Sequence, residues 1–228
     1  MTEQLAFEFP YRAAGGSENF YVTAANRHAV TILGDPSRWQ NGGLLICGPP
    51  GSGKSHLADA WADRFGALRL DGESLAAVRE PRGLTQEPVR RLVVEDVHRI
   101  AGDPRAERPL LHVINFLCGR RVPFLLTACG RPPDWPFVTP DLSSRIAAVS
   151  FAALEEPDDE LLRALLAKLF EDRQLDCPPR VLDYLARRVE RSYAAVIRTV
   201  DSLDHTSLDR RRPLTRALAA VVLDKLES

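Results

Sequence analysis

The segment Gly48-Pro49-Pro50-Gly51-Ser52-Gly53-Lys54-Ser55 carries the spacing G-x-x-x-x-G-K-S/T, the pattern of a phosphate-binding loop. Glycines let the backbone turn tightly, so that successive N–H groups converge on phosphate oxygens. A helix starting at the end of such a loop adds its positive N-terminal end. Lys54 can reach the β- and γ-phosphates, and the Ser55 hydroxyl can hold Mg²⁺. His56 follows directly and joins the nucleotide-side candidates. The chain has only three lysines beside 27 arginines. A compact ammonium at position 54 suits a narrow loop that a planar guanidinium would not fit.

A second set of candidates lies downstream. Leu92-Val93-Val94-Glu95-Asp96 is an apolar run closed by two acids. At the carboxyl end of a parallel strand beside a phosphate loop, such acids hold Mg²⁺ and orient the attacking water. Glu95 and Asp96 are therefore catalytic candidates, and Ser55 with Glu95 the candidate metal ligands. Arg145, in Leu142-Ser143-Ser144-Arg145, stands before the last expected strand. In ring- or filament-forming ATPases an arginine there reaches a neighbour's γ-phosphate. An ordinary surface arginine is the alternative.

The elements needed to position these groups are legible. Leu44 to Cys47 reads as a buried strand before the loop, and Leu57, Ala58, Trp61 and Phe65 have helical spacing after it. Ala67–Leu70, Arg91–Asp96, Phe124–Ala128 and Ala147–Phe151 read as further strands. Helices are expected over Ala24–Leu33, about Glu73 to Arg79, from Pro109 onward, and from an Asp141 cap through Ile146. Alternating strands and helices imply a parallel sheet flanked by helices. After Leu154 the pattern is helical only. One apolar stripe runs through Leu161, Leu162, Leu165, Leu166, Leu169 and Phe170. Helices are then expected from Cys177-Pro178-Pro179, from Ser192, and over Pro213–Leu226. The expected organisation is a tail over 1–17, an α/β nucleotide-binding domain over 18–153, and a small all-helical domain over 154–228. Some 75 residues offer little core, so the helical part should lean on the first domain.

Bulk properties narrow the partners. A net charge of −1 gives no protein-wide basic field for nucleic acid. No stretch approaches 18 apolar residues and no secretory signal opens the chain, so a cytoplasmic location without membrane attachment is expected. The four cysteines are far apart and read as reduced thiols. In the tail, Gln4-Leu5-Ala6-Phe7-Glu8-Phe9 places Leu5, Phe7 and Phe9 on one face if extended. That suits a peptide docking into an apolar groove, with an edge strand or packed arm as the alternative.

Together these residues resemble the AAA+ ATPases, and within them the DnaA branch. Asn19-Phe20-Tyr21-Val22 with Ala25-Asn26-Arg27 is similar to that branch's adenine-side entry segment, which makes Phe20 and Val22 nucleotide-binding candidates. Gly48–Ser55 matches its Walker A segment, Val93–Asp96 its Walker B, and Asp141–Arg145 its arginine-finger segment, box VII. The resemblance runs from about residue 18 through the helical part, which corresponds to the family's lid. The chain stops after the lid, with nothing like DnaA's DNA-binding helix-turn-helix domain. Gln4–Phe9 is similar to the Q-L-x-L-x-L/F peptide that binds the sliding clamp, the β subunit of DNA polymerase III. This combination resembles the Hda-type regulators of DnaA.

The resemblance implies a regulator that binds ADP or ATP with Mg²⁺ and docks on the clamp through Gln4, Leu5, Phe7 and Phe9. It also implies that Arg145 is offered in trans to DnaA-bound ATP, promoting its hydrolysis. Its own ATPase activity should be weak, and a homodimer or homo-oligomer is compatible with it. The gap of about 40 residues between Lys54 and Glu95 leaves little room for the extra helix with which DnaA grips single-stranded DNA. No strong direct DNA binding is therefore expected.

The chain departs from the family pattern at both sensors. Cys129-Gly130 follows strand Phe124–Ala128 where a polar sensor I residue is usual, with only Thr127 nearby. Ala194 occupies the sensor II arginine position, and Arg198, one turn on, is the candidate substitute. Glu95 stands where Asp is usual. Two other function classes fit less of the chain. A DnaC-type helicase loader would need a longer helicase-binding N-terminal region. A small-molecule phosphotransferase would need an Arg-rich lid between core strands.

Overall fold

The computed structural model describes residues 20–71, 74–75, 89–210 and 213–227. Five strands form one sheet in the order β2-β3-β4-β1-β5. They are β1 (Gly43–Cys47), β2 (Leu68–Asp71), β3 (Leu92–Glu95), β4 (Phe124–Ala128) and β5 (Ser150–Ala153). The sheet is parallel, with β2 and β3 in register from Leu68↔Leu92 to Asp71↔Glu95, and β3 and β4 from Leu92↔Phe124 to Val94↔Leu126. Every residue of β1 and β4 is buried, whereas burial alternates along the edge strands β2 and β5. Central strands covered on both faces must be apolar throughout, which is why Leu44-Leu45-Ile46 and Phe124-Leu125-Leu126 are continuous runs. Each of these fully buried side chains contributes about 1.5–3 kcal/mol.

The helices are α1 (Arg27–Leu33), α2 (Lys54–Phe65), α3 (Pro104–Arg120), α4 (Pro140–Ala147), α5 (Asp159–Asp172), α6 (Pro179–Ala186), α7 (Tyr193–Arg210) and α8 (Arg216–Glu227). The strand order doubles back beside β1, because β1 leads toward β2 on one side while β4 leads to β5 on the other. The Gly48–Ser55 segment follows β1 at that reversal, the position where sheets of this kind hold ligands.

The molecule separates into two compact units. One comprises 32–46 and 54–151 with Phe20. The other comprises 21–31, 47–53 and residues from 152 onward. In the first, Trp61 of α2 is fully buried and stacks on Trp39, ring centres 5.2 Å apart. In the second, α5–α8 bury Leu162, Leu166, Phe170, Leu185, Val196, Val200 and Leu203 in one core, as their helical spacing requires. Leu154 N–H donates to Cys47 O at 2.7 Å and Glu155 N–H to Ala25 O at 3.1 Å. These bonds stitch the early segments of the second unit to its helical part.

Several expected boundaries are corrected. The helix expected from Pro109 begins at Pro104, after an Asp103 cap whose carboxylate accepts from Arg105 N–H at 2.9 Å. Pro109 lies inside it. Asp141 is not a cap: α4 starts at Pro140 after Thr139, and Asp141 is an acid of its first turn. Ala147 ends α4, and the last strand begins at Ser150. Ser74 and Leu75 are helical, while the rest of the expected Glu73–Arg79 helix lies outside the described residues, as do Gln4, Leu5, Phe7 and Phe9.

Candidate nucleotide site

Gly51 adopts φ +80° and Gly53 φ +91°, left-handed conformations that L side chains avoid. A Cβ on Gly51 would lie 3.2 Å from Tyr193 Cβ and 3.3 Å from Ile197 Cδ1. A Cβ on Gly48 would sit 2.7 Å from Ser52 Oγ. The loop thus has no room for side chains at either glycine. Ser52 is buried, and its Oγ has no hydrogen-bond partner. A buried orphan hydroxyl inside a glycine-built turn fits a phosphate oxygen as its missing acceptor. Pro49 and Gly53 are half-buried and Pro50 exposed. Lys54 is buried as the first residue of α2, Ser55 is exposed beside it, and His56 stacks on Phe20 with ring centres 5.7 Å apart.

Val22 is half-buried in a turn held by Asn26. The Asn26 amide donates to Tyr21 O at 2.7 Å and accepts from Thr23 N–H at 2.9 Å. Tyr193 opens α7 with its ring buried, and burial pushes its phenol up to about 12. Its hydroxyl donates to Glu155 O at 3.4 Å. Ala194 and Arg198 are both exposed on α7.

The two acids after β3 are engaged differently. Glu95 pairs with Arg69 of β2, which also pairs with Asp59 of α2. The hydrogen bond to Glu95 is the main reason the guanidinium's pKa is raised. The expected metal ligand Glu95 therefore has an arginine competing for its carboxylate, and Arg69 was not legible as part of the site. Asp96 turns the chain with φ +55°, and its carboxylate lies 3.2 Å from Arg99 Nε. Thr127, fully buried at the end of β4, accepts from Asp96 N–H through Oγ1 at 3.2 Å. The hydroxyl expected near the sensor I position is thus used to fix the backbone at Asp96. Next to it, His98 Nδ1 accepts from Cys129 N–H at 3.2 Å. Burial holds the His98 pKa below its usual value; Asp96 opposes the shift, while Arg99 and Lys54 add to it. The ring is neutral at neutral pH, as its acceptor role requires.

Arg145 is exposed in the last turn of α4. It is close enough to offset part of the burial that pushes up the thiol of Cys118, in the last turn of α3. That helix end leads into the amino end of β4. Arg145 is thus near the end of α3 that leads into β4. Its helix is anchored by a residue that sequence reasoning missed. Glu107 of α3 is fully buried and accepts from Gly102 N–H at 2.8 Å, Val138 N–H at 3.0 Å and Thr139 N–H at 2.8 Å. Nothing in the local pattern distinguishes Glu107 from a surface acid.

A phosphate-loop motif after β1 of a five-stranded parallel sheet, an acid pair after β3 two strands away, and an all-helical C-terminal part together make the fold of AAA+ P-loop proteins. Residues 158–223 match the family model described as "Hda, lid domain". The chromosomal replication initiator protein DnaA of Thermus thermophilus is 30% identical over 234 residues, which cover 92% of this chain and 52% of that protein. Domain III of Thermotoga maritima DnaA superposes with a TM-score of 0.75 at 20% identity, covering 90% of this chain and 94% of that one. DnaA from Aquifex aeolicus bound to AMPPCP superposes with a TM-score of 0.67 at 19% identity, covering 84% of this chain and 67% of that one. The chain is thus similar to the AAA+ part of DnaA, and its residues 158–223 to the Hda lid. It spans about half the length of the curated relatives it matches. No helix among the described residues is long and apolar enough to cross a membrane.

Proposed function

We propose that this protein regulates the initiation of chromosome replication by binding an adenine nucleotide and promoting hydrolysis of ATP held by DnaA. The observation that carries the reading is the glycine-built loop with its buried Ser52 and Lys54, in a chain whose lid is of the Hda type. Gly48–Ser55 would hold the phosphates of ADP or ATP, with Phe20, Val22 and His56 on the base side and Arg198 approaching from the lid. A bound nucleotide supplies negative charge that orders the loop and the start of α2. Ser55 is the proposed Mg²⁺ ligand, and Glu95 joins it only when Arg69 releases its carboxylate.

Arg145 is the proposed arginine finger. Its exposure suits a residue used in trans. No carboxylate among the described residues pairs with it, so its charge is available to a partner. Gln4, Leu5, Phe7 and Phe9 are the proposed clamp-binding peptide, which would concentrate the protein at clamp-loaded DNA. With Thr127 committed to Asp96 and Ala194 at the sensor II position, intrinsic hydrolysis should be slow and the cytoplasmic role regulatory.

The test is a mixed assay containing ATP-loaded DnaA, clamp on DNA, and this protein. Arg145→Ala should retain nucleotide binding and its melting temperature while losing stimulation by about 10³-fold or more. Stimulation within a few-fold of wild type would overturn the finger assignment. Steady turnover by the isolated protein on the order of 1 per second would instead favour a self-sufficient ATPase such as a helicase loader.

A further inference from the structure

We propose that Asp96, His98 and Cys129 form a binding site for a soft divalent cation, Zn²⁺ by preference. Each of the three residues offers one ligand atom, and these atoms all lie within 4.8 Å of one another. The sheet brings them together. β3 and β4 run in parallel register from Leu92↔Phe124 to Val94↔Leu126, so the chain leaves both strands at the same level. The left-handed turn at Asp96 folds the 3₁₀ segment Val97–Ile100 back toward the end of β4. That turn sets His98 Nδ1 4.0 Å from Asp96 Oδ1 and 3.2 Å from Cys129 N. All three residues are half-buried.

The donor set selects the metal. A thiolate, an imidazole and a carboxylate make up a zinc set, whereas Mg²⁺ and Ca²⁺ take oxygen. Zinc bonds of about 2.0–2.3 Å place tetrahedral ligands roughly 3.3–3.7 Å apart. The donor atoms therefore need to close by about 1.5 Å at most, within reach of side-chain rotation. Binding turns the His98 Nδ1 lone pair from Cys129 N–H to the metal and leaves Nε2–H as the outward donor. The Cys129 thiol loses its proton to solvent as the Zn–S bond forms, so the ligand set carries two negative charges against the dication. Those charges offset the two cations facing the cluster, Lys54 and Arg99. Three protein ligands leave a fourth position open to water or another anion. His98 and Cys129 have no part in the proposed nucleotide chemistry, whereas Asp96 is shared with it, so the variants that test the metal site are placed at His98 and Cys129.

The test uses the full chain, stripped with a chelator and titrated with Co²⁺ and then Zn²⁺. One Co²⁺ per chain should bind, with tetrahedral absorption and a thiolate charge-transfer band, and Zn²⁺ should displace it. Cys129→Ser should abolish the band and weaken Zn²⁺ by at least about tenfold. His98→Gln should weaken Zn²⁺ comparably, while Cys118→Ser should retain both band and affinity. If Cys129→Ser loses its melting transition, His98→Gln and Cys118→Ser carry the comparison. Absence of saturable micromolar Zn²⁺ binding would overturn the proposal. So would full affinity in His98→Gln, or a charge-transfer band that survives in folded Cys129→Ser.

Discussion

Replacing Glu107 by glutamine tests how the arginine-bearing helix is held. The Glu107 carboxylate is fully buried, with Oε1 accepting from Gly102 and Val138 and Oε2 from Thr139, the residue that leads into α4. Burial pushes its pKa up. The hydrogen bonds from Thr139, Val138 and Gly102 outweigh that and hold it below its ordinary value of 4.5. In Glu107→Gln the amide oxygen can keep two donors, but its NH₂ must face the third backbone N–H. Losing one hydrogen bond to a charged acceptor and stranding a buried donor costs about 1–3 kcal/mol. For a chain of this size that lowers Tm by roughly 2–12 °C.

The pH dependence gives a second reading. A carboxyl whose pKa is depressed by folding stabilises above its unfolded value, and that contribution fades as pH falls through the folded value. The difference between wild type and Glu107→Gln should be full at pH 7 and shrink as pH drops below about 4.5, the unperturbed value. Thermal unfolding followed by circular dichroism, in parallel at both pH values, measures this. A variant melting within a degree of wild type at pH 7, or a gap that widens in acid, would refute the reasoning.

Lys54→Ala should lower adenine-nucleotide affinity by about 10²-fold or more in calorimetry, through loss of a charged contact worth about 3 kcal/mol. Gly51→Ala forces a side chain into φ +80° and against Tyr193 and Ile197. The strain of about 1–2 kcal/mol should weaken nucleotide binding roughly tenfold while leaving the helical core's melting intact. Gln4→Ala with Leu5→Ala should abolish capture by immobilised sliding clamp without altering nucleotide affinity; undiminished capture would remove the tail assignment.

Much of the fold was legible because its signals are local. Gly48–Ser55 between a strand run and a helical stripe can be read one residue at a time, and so can the apolar strands that central positions in a parallel sheet demand. The helical lid announced itself through Leu162, Leu166 and Phe170, whose spacing matches the core they form. Boundaries went wrong where local signals competed. Pro109 reads as a helix start, yet Asp103 with Pro104 caps the helix five residues earlier. Asp141 reads as a cap, yet Pro140 already occupies the first turn after Thr139.

By itself, the sequence determined the Gly48–Ser55 loop pattern, its strand–helix frame, the acid pair after β3 and the arginine before β5, because each is a short pattern of residue types. Only the tertiary structure decided what those groups touch. The pairing of β2, β3 and β4 commits Glu95 to Arg69 and Thr127 to the Asp96 backbone, and brings His98 to Cys129. Those partners lie 26 to 31 residues apart in the chain. Contacts at such separations follow from strand order and register, and no periodicity within a segment encodes them.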